Sequence, residues 1–201
     1  MRSSAWEHVE SAALNDKGTS NVVGPELIQR ILTDYELPAA GTHGVGHWAR
    51  VLENGRRLAL VTGADLRVVE LFAVFRDARR TSEGIDPDHG WRGGELARSL
   101  RGSFFDLNDQ AFQLLFTACA SHTEGFIQGD VTVQTCWDAD RLDLPRVRIP
   151  VEPSLLCTRA AKELDLRMWA EKRSVARVLP DLVREEWGIV LPPAPDTGSS
   201  P

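Results

Sequence analysis

The chain has 201 residues, 42% of them apolar, and a formal charge of −6. That length and apolar content suit one globular domain with a sizeable core, and the acidic balance argues against a nucleic-acid polymer as partner while leaving room for a local basic pocket. No apolar stretch reaches the length of a membrane span and Met1 to Asp16 lacks the basic-then-apolar order of a signal peptide, so no membrane partner and a cytoplasmic location are expected.

Met1 to Val23 is polar and rich in Ser and Asn, which predicts a loosely held segment. Pro25 suits the first turn of a helix, and Leu27, Ile28, Ile31 and Leu32 form an apolar stripe reaching Tyr35. Pro38 to Gly41 breaks it. A second helix is expected from Thr42 to about Leu60, with glycines at its start that imply close approach by another segment. Asp65 is a plausible N-cap for the next helix. From Leu66 to Phe75 nearly every residue is apolar, which predicts a helix buried on all sides. Its end delivers Arg76 and Asp77 straight out of the core.

A polar loop from Arg79 to Asp86 leads to a helix with Pro87 at its first position, closed by Gly102. Asn108 or Asp106 can cap the following helix, whose stripe is Phe112, Leu115, Phe116 and Cys119, and Gly125 is expected to end it. Asp130 begins a short helix that runs through Trp137 to Asp143. From Pro153 the chain reads as helical through Trp169 and, after Pro180, through Trp187. The tail from Leu191 to Pro201 is rich in Pro, Ser and Gly, a composition that predicts disorder. No useful strand-period alternation and no internal repeat are present. The expectation is all-α: one helical domain over residues 24–190 between a loose segment, 1–23, and a disordered tail, 191–201.

Cys119, Cys136 and Cys157 are few, odd in number and far apart, so they fit neither a disulfide framework nor a zinc ribbon and read as core fillers. Four histidines, His43, His47, His89 and His122, fall near predicted helix ends, together with Asp77 and the Asp138/Asp140 pair. Imidazole and carboxylate are the ligands of catalytic transition metals. Asp138, Asp140 and Asp143 also fit a solvated helix face. Against that reading, the segments around these polar residues are apolar, so the polar groups should converge inside.

Their order along the chain resembles the HD-domain superfamily of metal-dependent phosphohydrolases. The resemblance covers roughly Gly41 to Val147 and is carried by His43-Gly-Val-Gly-His47-Trp-Ala-Arg-Val51, Asp86-Pro-Asp-His-Gly90 and Cys136-Trp-Asp-Ala-Asp-Arg-Leu-Asp-Leu144. It implies a single HD-type helical domain. It implies His47, Asp77 and Asp140 as metal ligands, with His89 and His122 as further ligands or as proton donors to a leaving group beside Asp77. Arg80 and Arg141 become candidates for phosphate contact. The cofactor would be a divalent ion, Mn, Fe, Co, Ni, Zn or Mg, and the substrate a nucleotide or other small phosphate ester; a homodimer stays open.

The chain departs from the family pattern at its name-giving pair, where Arg76-Asp77 stands in place of His-Asp. A guanidinium has no lone pair for a metal and keeps its charge at all accessible pH. Arg76 therefore reads as a charge substitute for the ion, neutralising Asp77 and Asp140. In the alternative it swings away and His43 takes the vacant ligand position. Two functions follow: a metal-dependent phosphohydrolase, or a degenerate HD domain that binds a phosphorylated ligand or a protein partner without turnover.

Overall fold

In a computed structural model, which describes residues 22–191, the chain runs through α1 (Pro25–Thr33), α2 (Val45–Thr62), α3 (Leu66–Phe75), α4 (His89–Leu100), α5 (Asp109–Ala120) and α6 (Val131–Arg141). Two 3-10 turns follow, Leu144–Val147 and Pro153–Leu155, then α7 (Arg159–Lys162), α8 (Leu164–Val175) and α9 (Leu182–Glu185). No strand occurs among the described residues, and the all-α expectation holds.

The organising element is α3. Every residue from Val68 to Phe75 is buried, Glu70 among them, as its largely apolar run predicts. Asp65 caps its start, accepting from the backbone N–H of Arg67 at 3.0 Å and of Val68 at 3.4 Å. Helices α2, α4, α5 and α6 all pack on it. Each fully buried Leu, Val or Phe contributes about 1.5–3 kcal/mol of transfer free energy, so this helix anchors the core. Its last turn then has nowhere to go but into the space those four helices enclose.

Glycines allow the closest approaches. A Cβ on Gly44 would lie 2.2 Å from the Ala39 carbonyl oxygen, so the Pro38–Gly41 turn folds directly against the start of α2. A Cβ on Gly90 would lie 2.2 Å from the Cys119 carbonyl oxygen, which lets α4 sit against the end of α5.

Several element boundaries differ from the sequence reading. Helix α2 starts at Val45, because Gly44 takes the N-cap position, and His43 stays in the preceding turn. Helix α4 starts at His89, two residues after Pro87, because the intervening turn is tied down by the Asp86 carboxylate. Helix α5 ends at Ala120, five residues before Gly125. The region from Pro153 onward is broken into a 3-10 turn, α7 and α8, and the last of these runs on to Val175. Val23, at the edge of the segment expected to be loose, is fully buried. The readings made for residues 1–21 and 192–201 lie outside the described residues. Among the described residues no helix is long and apolar enough to cross a membrane.

Candidate metal and charge centre

Helix ends converge on one buried cluster. Asp77 arrives from the turn after α3, His47 from the first turn of α2, and His89 from the first residue of α4. His122 comes from the turn after α5, and Asp140 from the last turn of α6. His47, Asp77, His89 and His122 are buried, with Asp140 the most accessible of the five at 16% of its side chain. The sequence separates these groups by up to 93 positions; the packing around α3 brings them together.

Asp77 links two half-sites. Its Oδ2 lies 3.2 Å from His47 Nε2, and its Oδ1 lies 3.2 Å from His89 Nε2 and 3.9 Å from His122 Nε2.

In the first half-site the guanidinium of Arg76 occupies the centre. Its Nε donates to Asp140 Oδ1 at 2.7 Å, one Nη donates to the Ala73 carbonyl, and the other contacts His47 Nε2. Arg76 is wholly buried. His47 Nδ1 faces Asp143 Oδ2 at 2.7 Å, and a carboxylate can only accept, so the proton sits on Nδ1 and the Nε2 lone pair points inward. That is how a carboxylate orients a metal-ligating histidine. Here the lone pair takes a guanidinium N–H. An ion does not fit between His47 and Asp140 while Arg76 stands there.

The second half-site gathers acceptors, with the Arg80 guanidinium as the donor at its edge. His89 Nδ1 donates to the Asp86 carbonyl, and His122 Nδ1 donates to the Cys119 carbonyl at 2.7 Å. Both Nε2 atoms are therefore left with lone pairs, and they face each other at 3.0 Å. Burial holds the His122 ring below the usual imidazole range, so it stays neutral. With Asp77 Oδ1 they form a buried group whose ligand atoms all lie within 4.8 Å of one another. An ion about 2.0–2.2 Å from each of three ligands leaves those ligands roughly 3–3.5 Å apart. Separations of 3.0, 3.2 and 3.9 Å are close to that requirement, so the donor set fits a divalent ion.

Charge balance sets the ionisation of the cluster. Burial pushes the Asp77 carboxyl up, but the Arg76 guanidinium outweighs it and holds it well below the usual carboxylate range. Asp140 is likewise pushed up by burial and held well below that range by Arg76. For Asp143 burial is outweighed by His47 and Arg50, which bring it to about 2.

Asp143, to which the sequence assigns no role in the site, is almost fully buried and does not lie on a solvated face. Besides His47, it receives Arg50 Nε at 2.8 Å and Arg50 Nη2 at 3.0 Å. The signal was its spacing, three residues after Asp140, which keeps both carboxylates on one side of the chain as α6 ends. Asp138 turns the other way. It accepts from the backbone N–H groups of Cys157 and Thr158 at 2.7 and 2.8 Å, and so anchors the approach to α7.

The two remaining arginines part company. Arg80 joins the cluster, with Nη1 2.9 Å from His89 Nε2 and 3.5 Å from Asp77 Oδ1, while its other nitrogens bond the Ser82 and Gly84 carbonyls. Arg141 is not brought to the cluster; it bonds the carbonyls of Leu155 and Phe126 instead. His43 does not take a ligand position. It pairs with Glu83, and its ring centroid stays 6.1 Å from that of His47.

No protein-family model, curated protein or solved structure matches this chain. The meaning of the cluster must come from its own chemistry.

Proposed function

We propose that this chain is an HD-type phosphohydrolase-like domain that uses one divalent ion, held by Asp77, His89 and His122, on a nucleotide or other small phosphate ester. The observation that carries this reading is the convergence of two buried imidazole Nε2 atoms and one buried carboxylate oxygen within 4.8 Å of one another. Three acceptors turned toward each other repel unless positive charge lies among them; the Arg80 N–H at His89 Nε2 supplies part of it, and a bound ion would take its place. When bound, a divalent ion supplies an activated water at neutral pH and polarises a phosphoryl oxygen. The protein's part is to fix the ligands. The Asp86 and Cys119 carbonyls hold the two histidine tautomers, and Arg76 keeps Asp77 ionised. The order of His47, Asp77, His89, His122 and Asp140 along the chain adds the family resemblance to this chemistry.

A second reading is a degenerate HD domain that binds without turnover. It is favoured by the charge count: Asp77, Asp140 and Asp143 already face four guanidiniums, those of Arg50, Arg76, Arg80 and Arg146. An added dication would have to enter a cluster in which guanidiniums already outnumber carboxylates.

The experiment is calorimetric titration of chelator-treated protein with Mn, Fe, Co, Ni, Zn and Mg, followed by an assay on an aryl phosphate and a panel of nucleotides. One equivalent of bound ion, lost in His122→Ala, together with ion-dependent hydrolysis supports the first reading. Bound ion without hydrolysis, or no bound ion, leaves the second.

A further inference from the structure

Among the described residues five arginines are buried: Arg50, Arg76, Arg80, Arg141 and Arg146. Four of them have a carboxylate oxygen within 4.0 Å. Arg141 is the exception among the described residues. Only 8% of it is exposed, yet its guanidinium meets the Leu155 and Phe126 carbonyls, both at 2.6 Å, the Cys157 sulfur at 3.3 Å, and the face of Trp137 at 5.8 Å. None of these is an anion. Asp138, three residues back on its own helix, is committed to Cys157 and Thr158. A buried cation normally has a counter-charge, and this one has only dipoles.

Arg141 also lines a cavity of about 200 Å³. The other walls are mainly apolar: Leu144 from the first 3-10 turn, Ile149 and Pro150 from the link, and Leu155 and Leu156 from the second turn. Leu156 is buried, whereas Ile149 and Leu155 are about half exposed, so these walls reach from the core to solvent. Exposed Glu152 also contributes to the lining. Asp140 and Arg141 are neighbours in sequence, but successive side chains on an α-helix leave it about 100° apart. This cavity is therefore separate from the Asp77 cluster.

We propose that this cavity is a binding site for a small monocarboxylate with an apolar tail, whose head group supplies the counter-charge of Arg141. The planar guanidinium suits a carboxylate, and the leucine and isoleucine walls suit a hydrocarbon body. The volume lies below the roughly 300–1,000 Å³ of sites for drug-sized molecules, so the occupant is small. Glu152 sets the charge: its carboxylate in the same lining repels a dianion more than a monoanion, which disfavours phosphate esters here.

The test is calorimetric titration of the full chain with octanoate and with octanamide, which keeps the tail and removes the charge. Octanoate should bind saturably with one equivalent, and octanamide at least tenfold more weakly. Ile149→Trp, at a half-exposed position in the wall, should weaken octanoate at least tenfold. Glu152→Gln should tighten octanoate binding and narrow the preference over octyl phosphate. Arg141→Gln should lose octanoate, but it also removes the links to Leu155 and Phe126, so its folding must be checked; the Ile149 and Glu152 variants leave those links in place. Equal affinity for octanoate and octanamide, no saturable binding of octanoate, or octanoate binding untouched by Ile149→Trp would each overturn the assignment.

Discussion

Arg76 Nε donates to Asp140 Oδ1 at 2.7 Å, and this contact joins the end of α3 to the last turn of α6 across 64 positions of sequence. The guanidinium stands where the family resemblance leads one to expect an ion, and it neutralises the carboxylates an ion would otherwise hold. Truncating it leaves Asp77 and Asp140 buried without their main counter-charge. Arg76→Ala should cost about 3–5 kcal/mol of unfolding free energy, measured by urea denaturation at neutral pH. A loss below about 1 kcal/mol would mean that the guanidinium is not the counter-charge.

Arg76→His should behave differently, because imidazole restores a ligand next to His47, Asp77 and Asp140. Its melting temperature should rise with added divalent ion, by an amount equivalent to about 2.7 kcal/mol when the free ion is a hundred times its Kd. A single-ion wild type should respond less than this variant. If both respond to the same degree, Arg76 does not displace an ion.

Arg80 lies close to both His89 Nε2 and Asp77 Oδ1, two of the three atoms offered to an ion. Removing that positive charge should favour a dication. Arg80→Gln should tighten ion binding by roughly tenfold, equivalent to about 1.4 kcal/mol, read from the same calorimetric titration. Unchanged or weaker binding would show that Arg80 does not compete with the ion.

The two aspartates of Trp137-Asp-Ala-Asp140 should separate cleanly. Asp140→Ala removes the partner of Arg76 and should abolish any hydrolysis. Asp138→Ala should spare a measurable fraction of activity. Its main effect should be on stability, since the Cys157 and Thr158 N–H groups lose their acceptor, at about 1–3 kcal/mol for each buried group left unsatisfied. Activity assays beside melting curves decide this, and the reverse ranking would reassign the two carboxylates.

Acid should unfold the protein through the same carboxylates. Asp143 is held at about 2 in the folded state, below its usual value near 3.8. A depressed carboxyl contributes stability that is fully present above the unfolded pKa and is lost as pH falls through the folded one. For Asp143 that contribution is about 2 kcal/mol, lost between about pH 4 and pH 2. Asp77 and Asp140 are shifted the same way and should deepen the loss. Unfolding free energy measured from pH 7 down to pH 2 should fall steeply in this window, and Asp143→Asn should flatten the slope.

Much of the fold could be read from the chain because the controlling signals are local. The largely apolar run from Leu66 to Phe75 is satisfied by burial from Val68 onward, and the Asp65 cap sits one residue before it. The stripe of Leu27, Ile28 and Ile31 defines one helix face in the same way. The ligand types were legible too, since imidazoles and carboxylates flanked by apolar segments have few low-cost places to go. What the sequence left open was which charge meets which. Arg76 centred on Asp140, Asp143 buried behind His47, and Arg141 turned away from its neighbour Asp140 into a different cavity are all set by how α2, α4, α5 and α6 pack around α3. Electrostatic energy depends on distances of a few ångströms between groups many residues apart, and one sequence carries no term for those distances until the helices are in place.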